Sequence, residues 1–153
     1  MKLVKVKQSF YDLIMENHVD DEIMFNEFGR PCVLIVDLEY KDVFRKFVVP
    51  LRSNISSKTP RKQYFPLPPN RNTRDGNHHG IHYIKLFPME NEYVDRYRIN
   101  GKFYETIVKI LSENESEIIS ECQKYLKECE MGNKHIMTPN IDGIISVLES
   151  RKK

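Results

Sequence analysis

The hydrophobic pattern of this chain changes its period at Asn100-Gly101, and this change limits the folds open to it. Before that point, apolar residues alternate with polar ones or form short runs, as in Lys2–Lys7 and Cys32–Leu38, which is typical of β-strands. After it, apolar side chains recur at helical spacing, at Phe103, Ile107, Ile110, Leu111, Ile118, Cys122, Tyr125, Leu126 and Cys129. Strands followed by helices predict a single α+β domain over residues 1–153, with a compact antiparallel sheet or barrel and a helical C-terminal half.

The strand-rich half has recognisable boundaries. Ser9 is a candidate N-cap for a short helix, and a turn near Tyr40–Asp42 indicates a hairpin. Residues 52–80 are rich in proline, glycine, serine and asparagine, which predicts a long functional loop with at most short strands. The expected elements are strands at Lys2–Lys7, Cys32–Leu38, Val43–Leu51 and Ile81–Phe87, a helix at Ser9–Asn17, a break between helices at Ser112–Ser116 and a last helix from Asn140.

Positive charge is concentrated in the middle of the chain. Between Arg52 and Arg74 there are six lysines or arginines and no aspartate or glutamate. Residues 41–87 carry ten basic and two acidic side chains, a net charge of +8, although the whole chain carries only +2. Tyr64 and Phe65 lie among these cations. Cations interleaved with aromatic rings suit a flexible polyanion, so we expect a face that binds single-stranded RNA or DNA.

The sequence speaks against several other classes of protein. The longest apolar run, Cys32 to Val36, is too short for a membrane span, and the N-terminus lacks the apolar stretch of a secretion signal. Three cysteines without a CxxC pair are typical of reduced thiols in a cytoplasmic protein. The segment His78-His79-Gly80-Ile81-His82 does not match a zinc-ligand pattern, so we expect no metal and no cofactor.

The basic segment also contains side chains that suit metal-independent cleavage of RNA. In that reaction the ribose 2′-hydroxyl attacks the neighbouring phosphodiester, while the protein aligns the two groups, stabilises phosphoryl charge and moves protons. Arginine can bind a phosphate through two hydrogen bonds, a serine hydroxyl can donate to a phosphate oxygen, and histidine can transfer protons near pH 7. The candidate catalytic residues are Arg52, Ser53, Lys58, His79 and His82.

Further residues are candidates for RNA contacts. They are cations, an amide and aromatic rings of the basic segment, together with two lysines on the exposed face of the first strand. This set is Lys5, Lys7, Asn54, Arg61, Lys62, Tyr64, Phe65, Arg71, Arg74, His78 and Lys85. Structural alternatives stay open for several candidates, because Ser53 and Asn54 suit an ordinary turn and His82 suits a hydrogen-bonded core position.

The turn at Pro50-Leu51-Arg52-Ser53 resembles the PLxS turn of the ToxN/AbiQ endoribonucleases, which are the toxins of type III toxin–antitoxin systems. The order of strands and helices is similar over nearly the whole chain, and the segments PLRSN, YFPLPP and HHGIHYIKLFP most resemble the CptN-like branch. The resemblance implies a fold similar to that of the MazF/Kid toxins. It also implies metal-independent RNA cleavage that leaves a 2′,3′-cyclic phosphate and a 5′-hydroxyl.

The resemblance further implies an RNA partner. The antitoxin of this family is a small repeat RNA that folds as a pseudoknot, and the toxin itself cuts it from a precursor. Toxin and RNA then alternate in a closed assembly that blocks the active site. Free toxin cuts cellular or phage transcripts, stops growth and can abort phage infection.

The match of individual residues to the family is partial. Ser53 corresponds to the family serine, whereas Arg52 stands where relatives often have threonine and Ile55 stands where a lysine is common. Lys58 can supply that charge if the loop bends back, and the histidine cluster has no counterpart across the wider family. Two other functions stay open, namely a non-catalytic RNA-binding regulatory module and a protein-interaction domain whose basic loop binds an acidic partner.

Overall fold

The computed structural model describes residues 2–20, 33–97 and 101–152. Strands dominate the first two parts, and the last part is helical. The strands are β1 (Lys2–Val6), β2 (Val33–Tyr40), β3 (Val43–Ile55), β4 (Tyr64–Leu67), β5 (His78–His82), β6 (Phe87–Pro88) and β7 (Val94–Arg96). The helices are α1 (Gln8–Glu16), α2 (Lys102–Glu113), α3 (Glu115–Glu130) and α4 (Ile141–Ser150).

The strands form one antiparallel sheet of seven strands. Its order is β4-β5-β3-β2-β1-β7, and β6 pairs with β3 beside this path. The predicted α+β class with a helical C-terminal half is confirmed, but the sheet is open and does not close into a barrel. β4 lies at one end of this order, where Pro66 is tolerated because an edge strand does not need every N–H for pairing.

The hairpin of β2 and β3 was predicted and is confirmed. Its last pair is Tyr40 opposite Val43, so Lys41 and Asp42 form the connecting turn. These two residues have φ values of 50° and 65°, and positive φ at both central residues matches the right-handed twist of paired strands. The N–H of Lys41 donates to Oε1 of Glu130 at 2.6 Å, which ties the turn to α3.

Helices cover both faces of the sheet. Phe47 and Val49 of β3 belong to a core shared with α2 and α3, whereas Val48 between them belongs to a second core shared with α1 and α4. Successive side chains of a strand point to opposite faces, which explains this division. The almost continuously apolar run Cys32–Leu38 predicts a strand that is buried on both faces, but Asp37 is exposed between two buried neighbours, so this prediction is wrong there. Cys32 lies outside the described residues.

Residues 52–80 form loops with short strands, as predicted: they contain the end of β3, all of β4 and the first residues of β5. The predicted strand Ile81–Phe87 is wrong, because a 3-10 turn at Tyr83–Lys85 separates β5 from β6. Gly80 permits the close approach of β4 and β5, since a Cβ at this position would lie 2.3 Å from the carbonyl oxygen of Phe65. Gly80, which the sequence pattern assigned to the loop, therefore lies within β5.

Of three helix boundaries predicted from the sequence, the structure confirms two and contradicts one. Lys7 occupies the N-cap position of α1 and makes no side-chain cap, so the predicted N-cap at Ser9 is wrong. The expected break between helices lies at Asn114, and Asn140 caps α4 by accepting from a first-turn N–H at 3.1 Å. Of the helices in the described part of the chain, none is long and apolar enough to cross a membrane.

Candidate nucleic-acid site

Arg52 and Ser53 lie where the pairing of β3 with β5 becomes irregular. Arg52 pairs with Gly80, but the next pair is Ile55 with His78, so β3 has one more residue than β5 over this stretch. Such a bulge bends a strand and changes the direction of its side chains, and it is common beside active sites. Arg52 and Ser53, both half-buried, are thus consecutive residues at this bulge.

Arg52 is bound by a histidine and not by a carboxylate. Its Nη1 lies 3.2 Å from Nδ1 of His82, and a guanidinium only donates, so Nδ1 accepts and the ring proton is on Nε2. Burial lowers the pKa of Arg52 below its usual value, but an arginine stays protonated at neutral pH. Within residues 2–20, 33–97 and 101–152, no aspartate or glutamate forms an ion pair with Arg52, which leaves its charge for an anion.

His82 occupies a core position. Its side chain is 2% exposed, and Tyr64 of β4 pairs with it. Burial first, and then the charges of Arg52, Lys85 and His135, lower the pKa of His82 to about 3. Nδ1 of His82 is occupied by Arg52, and its Nε2 is buried without a hydrogen-bond partner, so neither nitrogen can exchange a proton with RNA. The predicted acid–base role is therefore replaced by the core alternative, in which His82 accepts the hydrogen bond of Arg52.

The hydroxyl of Ser53 is held by an asparagine that sequence analysis missed. Nδ2 of Asn70 donates to Oγ of Ser53 at 2.8 Å. Oδ1 of Asn70 accepts from the N–H of Asn72 at 2.8 Å and from the hydroxyl of Thr73 at 3.2 Å. An asparagine directly after Pro68-Pro69 suggests a turn, but no local signal relates it to a serine 17 residues earlier.

Asn54 holds the loop between β4 and β5. Its Oδ1 accepts from the N–H of Arg74 at 2.8 Å and from Nδ2 of Asn77 at 3.3 Å. Its Nδ2 donates to the carbonyl of Asn72 at 2.9 Å. Both ends of this amide are used within the protein, so the turn alternative describes Asn54 better than a direct RNA contact does.

His78 and His79 differ in their surroundings. Nδ1 of His79 lies 2.7 Å from the carbonyl of Pro68, which can only accept, so Nδ1 carries the proton and Nε2 is the acceptor. Burial lowers the pKa of His79, partly opposed by this bond, and the ring stacks on Phe103. The half-exposed ring of His78 stacks on Tyr64 with 5.2 Å between centroids. No group of three His, Cys, Asp or Glu side chains in the described ranges is arranged to hold a metal ion.

Three of the expected RNA contacts are buried. Tyr64, Phe65 and Lys85 are each only 6% exposed. The guanidinium of Arg61 lies 5.7 Å from the centre of both rings and donates to the carbonyl of Tyr64, while His78 covers the Tyr64 ring. Their burial contradicts base stacking by these two rings and phosphate binding by this lysine. Cations and aromatic residues do alternate along this segment, but the rings of Tyr64 and Phe65 are buried in the core.

Besides Arg61, whose guanidinium lies over the two buried rings, four predicted cations of the basic segment are exposed, namely Lys58, Lys62, Arg71 and Arg74. Lys58 lies in the turn after β3, where its N–H donates to Oγ of Ser56 at 3.2 Å. None of the four forms an ion pair with a carboxylate in the part of the chain that the structure describes. They form a positively charged rim on the segment that follows Ser53.

Lys5 and Lys7 lie toward the same end of the sheet as this rim. Val4 of β1 is aligned through β2 with Pro50 of β3, so both lysines follow at the end where the candidate site lies. Lys5 is exposed, and Lys7 is 3.7 Å from a carboxylate oxygen of Asp95. The sheet register is thus compatible with a contact between these lysines and a long polyanion.

Comparison with known proteins adds evidence on the fold. No family model matches the sequence, and no curated protein matches it. A solved structure from work in which a processed non-coding RNA regulates a bacterial antiviral system matches with a TM-score of 0.72 and 16% identity, over 95% of this chain and 96% of the other. Another, from work on type III toxin–antitoxin systems and selective toxin inhibition by a non-coding RNA pseudoknot, has a TM-score of 0.67 and 13% identity, over 99% and 98%. The chain shares the fold of these two structures, as its ToxN/AbiQ resemblance led us to expect.

Proposed function

We propose that this chain is an endoribonuclease toxin of the ToxN type that is held inactive by a small repeat RNA. The observation that supports this most is the corner formed by Arg52 and Ser53, which are consecutive, half-buried residues at the bulge of β3. A phosphate-binding cation beside a fixed hydroxyl donor is what metal-independent phosphoryl transfer requires. The corner belongs to a fold shared with a protein described in terms of toxin inhibition by an RNA pseudoknot.

In the proposed reaction, Arg52 binds the scissile phosphate and stabilises the charge that develops on its oxygens. Ser53 donates its proton to a phosphate oxygen and so aligns the phosphorus with the ribose 2′-hydroxyl. His79 accepts the 2′-hydroxyl proton at Nε2, because its Nδ1 is engaged by Pro68. Lys58 acts as a second cation and donates a proton to the leaving 5′-oxygen, which departs as a hydroxyl. The products carry a 2′,3′-cyclic phosphate and a 5′-hydroxyl, and no metal takes part.

The exposed cations bind the rest of the RNA in this proposal. Lys62, Arg71 and Arg74 contact phosphates on both sides of the cleaved bond, with contributions from Arg61, His78 and the lysines of β1. The toxin cuts its repeat RNA from a precursor, and the resulting pseudoknots cover the corner in a closed assembly. Free toxin acts in the cytoplasm on cellular or phage transcripts, where it arrests growth and limits phage.

A non-catalytic RNA-binding regulatory module is the second candidate. The observation that favours it is the burial of the two histidines that were expected to move protons. His79 is 5% exposed and His82 is 2% exposed, and burial lowers the pKa of both. Such a module binds RNA through the same exposed cations and leaves it uncut.

Incubation of the purified protein with RNA in EDTA separates the two candidates. The toxin proposal expects cleavage that survives chelation, leaves cyclic phosphate ends and disappears in Ser53→Ala. The matched control is Ser57→Ala, which removes an exposed hydroxyl from the following turn and is expected to retain cleavage. RNA that is bound but left intact by the wild type supports the regulatory module instead. Cleavage by Ser53→Ala at the wild-type rate removes Ser53 from the mechanism.

A further inference from the structure

The side-chain amide of Asn70 has only one orientation that satisfies its neighbours. The N–H of Asn72 lies 2.8 Å from one amide atom of Asn70. A backbone N–H is always a donor, so the atom facing it is the oxygen. The other amide atom, 2.8 Å from Oγ of Ser53, is therefore the NH₂ group. Asn70 donates to Ser53, and the reverse direction is excluded.

Because Asn70 donates this hydrogen bond, the Ser53 hydroxyl does not use its own proton in it. A hydroxyl has one proton and two lone pairs, and the Asn70 bond occupies a lone pair. Within the described residues, Oγ of Ser53 makes no second side-chain hydrogen bond. The proton of Ser53 is consequently free to be donated to a bound group.

The loop that carries Asn70 is attached firmly to β3. The N–H of Asn70 donates to Oγ1 of Thr73 at 3.1 Å, and the Thr73 hydroxyl returns a bond to Oδ1. Asn54, next to Ser53, binds the same loop at the carbonyl of Asn72 and the N–H of Arg74. Two adjacent side chains of β3 thus hold this loop, which prevents Asn70 from drifting away from Ser53.

We propose that Asn70 is a positioning residue, which keeps Oγ of Ser53 as an acceptor and so directs the Ser53 proton toward an RNA phosphate. This inference rests on the proposed function and deepens it. A carboxylate at the same position would accept the Ser53 proton and remove it from the RNA. The chemical identity of residue 70 as an amide, and not only its size, is therefore essential for cleavage.

The substitution Asn70→Asp tests this directly, because it keeps the oxygen that accepts from Asn72 and Thr73 but replaces the donor by an acceptor. Cleavage of a long synthetic messenger RNA is followed at one mapped site under single-turnover conditions. At pH 7 we expect the maximal rate constant of Asn70→Asp to fall about 100-fold, the loss typical of a misdirected reacting group. The matched control Asn72→Asp adds the same charge on an exposed side chain nearby and is expected to change mainly the half-saturating protein concentration.

The pH profile distinguishes a lost proton donor from a damaged fold. Near pH 4 the carboxyl of Asn70→Asp becomes protonated and can again donate to Ser53, so its rate relative to wild type is expected to rise as the pH falls toward about 4. Asn72→Asp is expected to show no such recovery of its maximal rate constant. A further variant, Asn70→Ala, leaves the hydroxyl free to rotate, and its loss is expected to be smaller, about 10-fold, and independent of pH.

The possible outcomes separate this inference from the function on which it rests. If Ser53→Ala is inactive while Asn70→Asp and Asn70→Ala cleave at the wild-type rate, the role of Asn70 is refuted and the toxin proposal stands. Equal losses of the rate constant in Asn70→Asp and Asn72→Asp also refute it, because charge alone would then explain the effect. If the wild type does not cleave RNA, both proposals fail together.

Discussion

The guanidinium of Arg52 donates to Nδ1 of His82 at 3.2 Å, across two neighbouring strands and 30 positions of sequence. This bond makes the histidine an acceptor and keeps its proton on Nε2. The cation is held by a neutral group, so its charge is not neutralised as a carboxylate would neutralise it. A buried histidine that looks catalytic in the sequence thus supports the arginine that we propose binds phosphate.

Replacement of His82 by glutamine is expected to change how stability depends on pH. The pKa of His82 is about 3 in the folded protein and about 6.5 in the unfolded chain, so the unfolded state binds a proton first as the pH falls. His82 therefore lowers the free energy of unfolding as pH decreases from about 6.5 toward 3, by up to about 1.4 kcal/mol per pH unit. Denaturant titrations from pH 4 to pH 8 should show a shallower slope for His82→Gln. The exposed His18→Asn is the control, and an equal slope in His82→Gln and wild type would contradict the expectation.

Arg52→Lys is expected to reduce RNA cleavage although it keeps the positive charge. Lysine cannot reproduce the planar guanidinium, which donates to His82 and, in the proposed function, also binds the phosphate. Loss of one charge-assisted hydrogen bond, about 1.5–3 kcal/mol, corresponds to at least about a tenfold fall in the single-turnover rate constant. Arg151→Lys, at an exposed position after α4, should cleave as the wild type does. A wild-type rate in Arg52→Lys would show that only charge matters at this position.

The exposed rim is expected to determine how RNA binding depends on salt. Each phosphate contact contributes about 0.7 to the slope of log affinity against log salt concentration for a single strand. Lys62→Ala and Arg71→Ala should therefore each reduce that slope by about 0.7 in binding titrations with Ser53→Ala as the inactive background. Lys109→Ala removes an exposed cation from α2 instead and should leave the slope unchanged. If the salt dependence of binding is the same in all three variants, the RNA does not contact the exposed rim.

Gly80→Ala is expected to lower both stability and activity. The added Cβ would meet the Phe65 carbonyl oxygen at 2.3 Å, a backbone atom that cannot move without displacing β4, so we expect a loss of about 1–3 kcal/mol in the free energy of unfolding. Gly80 pairs with Arg52, and the displacement should also lower the single-turnover rate constant. Gly76→Ala strains a residue with φ of 84° but meets no atom within 4 Å, so it should reduce stability and spare the rate constant. Full activity in Gly80→Ala would disprove this link.

The sequence predicted much of the fold and only part of the candidate site. The β2–β3 hairpin, the break at Asn114 and the start of α4 at Asn140 follow from signals within a few residues, and the structure confirms them. Arg52 and Ser53 were identified because they end a strand pattern and begin a basic segment. Asn70 was missed, since its contact with Ser53 depends on how a loop folds back over 17 residues.

What the sequence determined by itself is local: the period of its apolar residues set the class of fold, and its charges indicated a basic middle segment. What only the tertiary structure decided is which side chains are buried and which are neighbours. Tyr64, Phe65 and Lys85 had the composition of an RNA-binding surface, but pairing of β4 with β5 and a 3-10 turn placed them inside. The physical reason is that periodicity reports on one element at a time, whereas burial and hydrogen-bond direction depend on the elements packed against it.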